Sequence, residues 1–182
     1  MLSEIMTGEH PSPAAPSWVK IMVIGRNPKF TLVRVIVLIV LSFVVFKFVF
    51  LPLRVTGISM SPSYQDGRIN FVNKLAYVRS KPQRGDVVAI RMAGEHVMLL
   101  KRIIGLPGER ATIRRGRVFI NDSDRPLEEH YLAYQPHRSW NNKEWRMSDD
   151  EYLVIGDNRS MPFASHYCGR LFEHQIAGKA LF

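Results

Sequence analysis

Val97-Met98-Leu99-Leu100-Lys101-Arg102-Ile103-Ile104, closed by Gly105-Leu106-Pro107-Gly108, is the stretch whose reading decides the fold. Side chains alternate across a strand. Val97, Leu99, Lys101 and Ile103 would share one face, and Met98, Leu100, Arg102 and Ile104 the other. Each face is apolar with one basic residue, so a strand covered on both faces is expected, with one of the two cations buried. An arginine keeps its charge in a protein, whereas a buried lysine can lose its own. Arg102 must then reach water or a carboxylate, and Lys101 is the group able to act as a neutral base. The alternative is that both side chains snorkel to the surface.

Forty-two positions before Lys101 stands Ser59, within Gly57-Ile58-Ser59-Met60-Ser61-Pro62. A serine hydroxyl becomes a useful nucleophile when a base takes its proton. A serine in a turn and a lysine in a strand make the pair Ser59 and Lys101 a candidate dyad. Taken without context, such a pair is usually only a turn residue and a snorkelled surface residue.

Outward from these two stretches the chain is β-rich. Arg68–Val72 alternates, Asp86–Ile90 follows the turn-like Pro82-Gln83-Arg84-Gly85, Arg117–Asn121 follows Gly116, and Glu151–Ile155 leads into Gly156-Asp157-Asn158. Short strands separated by Gly/Pro turns predict an antiparallel β fold rather than βαβ units. Residues 121–150, with Trp140 and Trp145, read as a polar, irregular excursion, and no internal repeat is found.

The N-terminal part differs. Residues 1–17 carry Pro11, Pro13 and Pro16 among small and polar residues and read as a tail. Residues 31–53 form a run apolar on all sides of a helical wheel, interrupted by Arg34 and Lys47 and ended by Pro52 and Arg54. About 20 such residues span a bilayer. A cleaved leader is the alternative, but the run is long for one and no Ala-x-Ala pattern follows it. Lys20, Arg26, Lys29 and Arg34 precede or open the run, so the positive-inside rule predicts a cytoplasmic N-terminus. The expected organisation is a cytoplasmic tail at 1–30, a transmembrane helix at 31–53 and an extracytoplasmic β-rich catalytic domain at 54–182.

Composition bounds the function. The chain has 182 residues and a formal net charge of +9, which allows an anionic surface or nucleic acid as partner. With no zinc-finger spacing, aromatic RNA-binding signature or long basic block, nucleic acid is not expected. The single cysteine, Cys168, excludes an intrachain disulfide. Six histidines are dispersed without ligand spacing. Neither metal nor cofactor is expected.

Four segments, in order, resemble those of the bacterial type I signal peptidases: Gly57–Pro62, Arg84-Gly85-Asp86-Val87-Val88, Lys101–Glu109 and Gly156-Asp157-Asn158-Arg159. The resemblance covers roughly residues 52–182. It implies a membrane-bound serine endopeptidase of the cell membrane that removes signal peptides from secretory pre-proteins after small residues (Ala-x-Ala), with the lipid bilayer as its other partner. By this resemblance Ser59 is nucleophile, Lys101 is general base, and the backbone N–H of Ser59 helps bind the oxyanion. Met60 packs near the dyad and helps keep it dry. Some relatives carry a serine hydroxyl where this chain has Gly57, so a backbone donor or water takes over that work. Gly156, Asp157 and Asn158 form the structural motif. The family pattern continues with Ser, Asp and Arg where this chain has Pro162, Ala164 and His166. The support that those residues give a lysine must come from elsewhere: Ser160 or Ser165 for the hydroxyl, His166 for part of the brace. A peptidase dedicated to one secretion or conjugation system, and an impaired homologue acting as a binding protein, are the alternatives.

Overall fold

The computed structural model describes residues 28–92 and 98–181. The tail at 1–27 with Lys20 and Arg26, and Val97 at the start of the deciding strand, lie outside the described residues. The chain divides within its helix into two compact units, one ending at Val44 and one beginning at Val45.

Helix α1 spans Pro28–Val49. At 1.5 Å per residue its 22 residues reach about 33 Å, slightly more than the hydrocarbon thickness of a bilayer. Its Leu, Val, Ile and Phe side chains are exposed all round. Among the described residues it is the one helix long and apolar enough to cross a membrane.

The helix stops four residues short of the sequence expectation. Residues 50–53, read as its last turn, belong to strand β1 (Phe50–Arg54), and Pro52 sits inside that strand rather than ending a helix. The reason is pairing: Phe50 to Arg54 lie opposite Asn73 to Ile69 of β2 (Ile69–Asn73). β1 is an edge strand, where the missing N–H of a proline removes no obligatory ladder bond.

The remaining strands are β3 (Val87–Arg91), β4 (Met98–Gly105), β5 (Arg110–Arg114), β6 (Arg117–Ile120), β7 (Lys143–Arg146), β8 (Glu151–Ile155), β9 (Gly169–Phe172) and β10 (Ile176–Ala180). A seven-stranded sheet has the order β1-β2-β10-β3-β4-β8-β9, and a three-stranded sheet the order β6-β5-β7. Every pairing is antiparallel, so the molecule is mainly antiparallel β with one N-terminal apolar helix.

The continuous apolar runs are explained by cover on both faces. In β3, Val87 and Ala89 join a core with Val55, Met60, Val72 and Leu100, while Val88 and Ile90 join another with Ile103, Tyr152 and Leu171. In β8, Leu153 and Ile155 pack with Ile104, Ile113, Val118 and Trp140. Burying each such Val, Ile or Leu side chain contributes about 1.5–3 kcal/mol.

The segment 121–150 is not an excursion. Its last part forms β7, paired with β5, and Trp140 is 1 % exposed at the centre of a core. The polar appearance of the segment conceals a few anchors, because a short strand such as Lys-Glu-Trp-Arg buries only alternate residues.

Candidate active site

Ser59 lies in the turn that follows β1, and Lys101 in the middle of β4, between strands β3 and β8. The Lys101 amine donates to the Ser59 hydroxyl at 2.5 Å. Lys101 is 2 % exposed, and this burial draws its pKa from 10.5 down to about 8. Arg102 takes the other course open to a half-buried cation. It grips Asp157 with two bonds, Nε to Oδ1 at 2.9 Å and Nη2 to Oδ2 at 2.6 Å, donates to the Gly85 carbonyl at 2.7 Å, and lies 4.1 Å over the Tyr131 ring. Of two adjacent basic residues, the one that can discharge meets a neutral hydroxyl and the one that cannot meets a carboxylate. Neither snorkels.

The loop after β8 holds the serine. Asn158 donates its backbone N–H to the Ser59 carbonyl at 3.0 Å and its side-chain amide to the Ile58 carbonyl at 3.0 Å. Gly156 has no room for a side chain: a Cβ there would run into the Ser59 carbonyl oxygen and the His166 ring. The motif Gly156-Asp157-Asn158 thus gives one residue for close approach, one for Arg102 and one for the serine turn.

Met60 is 1 % exposed and packs in the core beside the dyad. The Gly57 N–H is occupied by Asp66 Oδ1 at 2.8 Å. Ser160 is exposed and donates to Asn158 Oδ1 at 2.6 Å, and Ser165 is exposed on a single 3-10 turn. Both hydroxyls stand apart from the amine, which has Ser59 as its hydrogen-bond partner. His166, by contrast, is buried, with Nε2 2.6 Å from the Asn158 carbonyl. Burial, then the nearby charges of Lys101 and Arg159, hold its pKa below the usual range.

Three residues had no role in the sequence reading. Arg159 is fully buried, donates Nε to the Gly156 carbonyl at 3.0 Å and Nη2 to Glu129 at 2.6 Å, and lies 5.1 Å from the Trp140 ring. Tyr131 donates to the same Glu129 oxygen at 2.5 Å. Glu129 and Tyr131 come from the segment read as an excursion, and nothing local marks an acid whose partner is 30 residues away. Farther out, Arg84 bonds Glu109 at 2.5 Å and the Ile104 carbonyl, which fastens the turn before β3 to the end of β4.

A serine hydroxyl on a buried lysine amine whose pKa is lowered, at the junction of a β sheet and a braced loop, is equipped for acyl transfer. The model of the family described as signal peptidase, peptidase S26, matches residues 29–182, and the chain belongs to that family. It is 34% identical over 128 residues to a probable signal peptidase I-2 of Synechocystis sp. (strain ATCC 27184 / PCC 6803 / Kazusa), a match covering 67% of this chain and 57% of that one. To a signal peptidase I of Leptolyngbya laminosa it is 34% identical over 131 residues, 68% of this chain and 63% of the relative. To signal peptidase I S of Bacillus subtilis (strain 168) it is 32% identical over 158 residues, 81% and 84% of the two chains. The chain thus spans less than two thirds of the length of the two cyanobacterial relatives.

Proposed function

We propose that this chain is a membrane-anchored serine endopeptidase that removes signal peptides from secretory pre-proteins, with Ser59 as nucleophile and Lys101 as general base. The observation that carries the reading is the 2.5 Å contact between a buried amine and the serine hydroxyl. With its pKa near 8, roughly one Lys101 in ten is neutral at pH 7, against about one in 10³ for a free lysine.

The neutral amine accepts the hydroxyl proton as Ser59 Oγ bonds to the scissile carbonyl carbon. The oxyanion that forms faces the Ser59 backbone N–H. Lys101, now an ammonium, returns the proton to the leaving nitrogen as the C–N bond breaks. A water then gives its proton to Lys101, attacks the acyl-serine, and the proton goes back to Ser59 as the acid departs.

Specificity for a small side chain before the cut is supported by a cavity of about 20 Å³ beside Ser59, lined by Leu53, Val55, Met60, Met98 and Leu100. That is room for about one water or a methyl group. In this reading an extended substrate adds to a strand edge near the serine. Helix α1 is the anchor, in the cell (inner) membrane. The basic flank, of which Lys29 and Arg34 stand at the start of α1, supports a cytoplasmic N-terminus and a catalytic domain on the far side.

The test uses the full chain in detergent with a pre-protein ending its leader in Ala-x-Ala. Cleavage after the −1 Ala is expected, with none by Ser59→Ala and none when −1 is Leu. Cutting after Leu, or cutting by Ser59→Ala, would overturn the reading. A reporter fused after Phe182 should read as extracytoplasmic, and a cytoplasmic readout would sink the orientation and the substrate class together.

A further inference from the structure

We propose that His166 is a positioning residue for Ser59, acting as an uncharged hydrogen-bond donor through Nε2. The proposal rests on the reading of Ser59 as nucleophile. His166 Nε2 lies 2.6 Å from the Asn158 carbonyl oxygen. A carbonyl oxygen only accepts, so Nε2 carries the proton and Nδ1 is bare in the neutral ring. Nδ1 is buried and has no hydrogen-bond partner among the described residues. A second proton there would meet no acceptor and would add a cation beside Lys101 and Arg159, the charged groups that act on the ring. The imidazole is therefore held as one tautomer in one charge state.

What it holds is the residue that holds the nucleophile. Asn158 receives the His166 proton at its carbonyl and sends its own two donors to consecutive carbonyls, those of Ile58 and Ser59. Both peptide units flanking the Ser59 Cα thereby depend on where Asn158 sits. The ring has little freedom to drift. Trp140 meets it edge-on, with centroids 5.0 Å apart, and its Cε1 and Nδ1 atoms abut Gly156, where only a hydrogen leaves space. The 3-10 turn Phe163–Ser165 delivers His166 to this slot, its N–H donating to the Phe163 carbonyl at 3.0 Å. The ring is not the base: its contact is Asn158, while the hydroxyl's is Lys101.

The test compares wild type with His166→Gln, His166→Asn and His166→Leu. A glutamine amide nitrogen can occupy the Nε2 position, an asparagine reaches only the Nδ1 position, and leucine donates nothing. Two quantities are measured: kcat and KM on an Ala-x-Ala pre-protein, and hydrogen exchange at the Asn158 amide. His166→Gln should stay within about threefold of wild type in kcat. His166→Asn and His166→Leu should lose about 10–100-fold in kcat with KM within about twofold, because misplacing a nucleophile damages the transition state more than binding. The Asn158 amide should exchange faster in those two variants and not in His166→Gln. Full activity and protection in His166→Leu, or equal losses in Gln and Asn, overturns the proposal, since a packing role would make no distinction of nitrogen position. Should the leucine variant fail to fold, the Gln–Asn contrast decides alone. A wild type that cleaves nothing would defeat the peptidase reading, and the exchange contrast would still decide this one.

Discussion

Two cations lie in the interior of this molecule within one neighbourhood, and they have opposite fates. Lys101 is 2 % exposed and its hydrogen-bond partner is a hydroxyl. Arg159 is 0 % exposed and its partners are the Glu129 carboxylate, the Gly156 carbonyl and the face of Trp140. Both side chains are buried, and it is their partners that differ. Asp157, a carboxylate whose charge favours a proton on Lys101, is gripped at both oxygens by Arg102. Lys101 therefore holds its proton less firmly than a free lysine, whereas Arg159 is matched to the Glu129 carboxylate.

The comparison breaks most visibly at the dyad. Lys101→Met and Ser59→Ala should each lower kcat/KM by about 10⁴-fold or more, measured by single-turnover cleavage. The methionine variant should also be the more stable protein. The folded pKa of Lys101 lies below that of the unfolded chain, so the unfolded state binds the proton more tightly, and the resulting penalty on folding is fully present below pH 8 and fades as pH rises towards 10.5. Removing the amine should raise stability by up to about 3 kcal/mol at pH 7, with the gain vanishing above pH 10.5. An inactive but destabilised Lys101→Met would contradict the buried-amine account.

At the other cation the sign reverses. Glu129→Ala strands a buried guanidinium and should destabilise by about 3–5 kcal/mol in urea unfolding. The double variant Glu129→Leu with Arg159→Met should recover most of that loss, because a filled apolar site has no charge to compensate. A near-neutral Glu129→Ala would mean that Arg159 has found water and that the contrast drawn here is false.

A smaller effect sharpens the Lys101 side. In a pH–rate profile, kcat/KM should climb about tenfold between pH 6 and 7 and level off above about pH 8. A flat profile across that window would assign the titration elsewhere. The smallest effect belongs to an ion pair on the surface: Glu144→Ala, which removes one of the two exposed partners of Arg110, should leave Tm unchanged within error.

The sequence showed the dyad and its central strand more clearly than their support. Strands β3, β4 and β8 were legible because they are buried on two faces and read as unbroken apolar runs. Adjacent Lys101 and Arg102 could be told apart in advance by which of them can discharge. Strands β9 and β10, Gly-Arg-Leu-Phe and Ile-Ala-Gly-Lys-Ala, are short, and each contains a glycine that dilutes any alternation. In β10 that glycine serves the neighbouring strand, since a Cβ at Gly178 would strike the Asn73 carbonyl. Glu129 was invisible for another reason. Its burial depends on a partner brought by tertiary folding, and the second of two adjacent acids, Glu128-Glu129, looks like solvent-facing surface. The end of α1 was misplaced because Phe50–Arg54 is as apolar as the helix before it, and only pairing with β2 tells strand from helix.

One detail of the sheet has a consequence in time. β10 lies between β2 and β3 and bonds to both, with Ala180 opposite Val72 and Lys179 opposite Val88. The turn bearing Ser59 follows β1, on one side of that junction, and Lys101 is on β4, on the other. A chain made from its N-terminus carries both halves long before it carries the strand that joins them, and pairing across more than a hundred residues is slow to close. The two sides of the sheet that carry the Ser59 turn and Lys101 are therefore joined through β10 only once residues 176–180 have been synthesised and inserted. The sheet that carries the two side chains is thus completed late, by a strand from its interior.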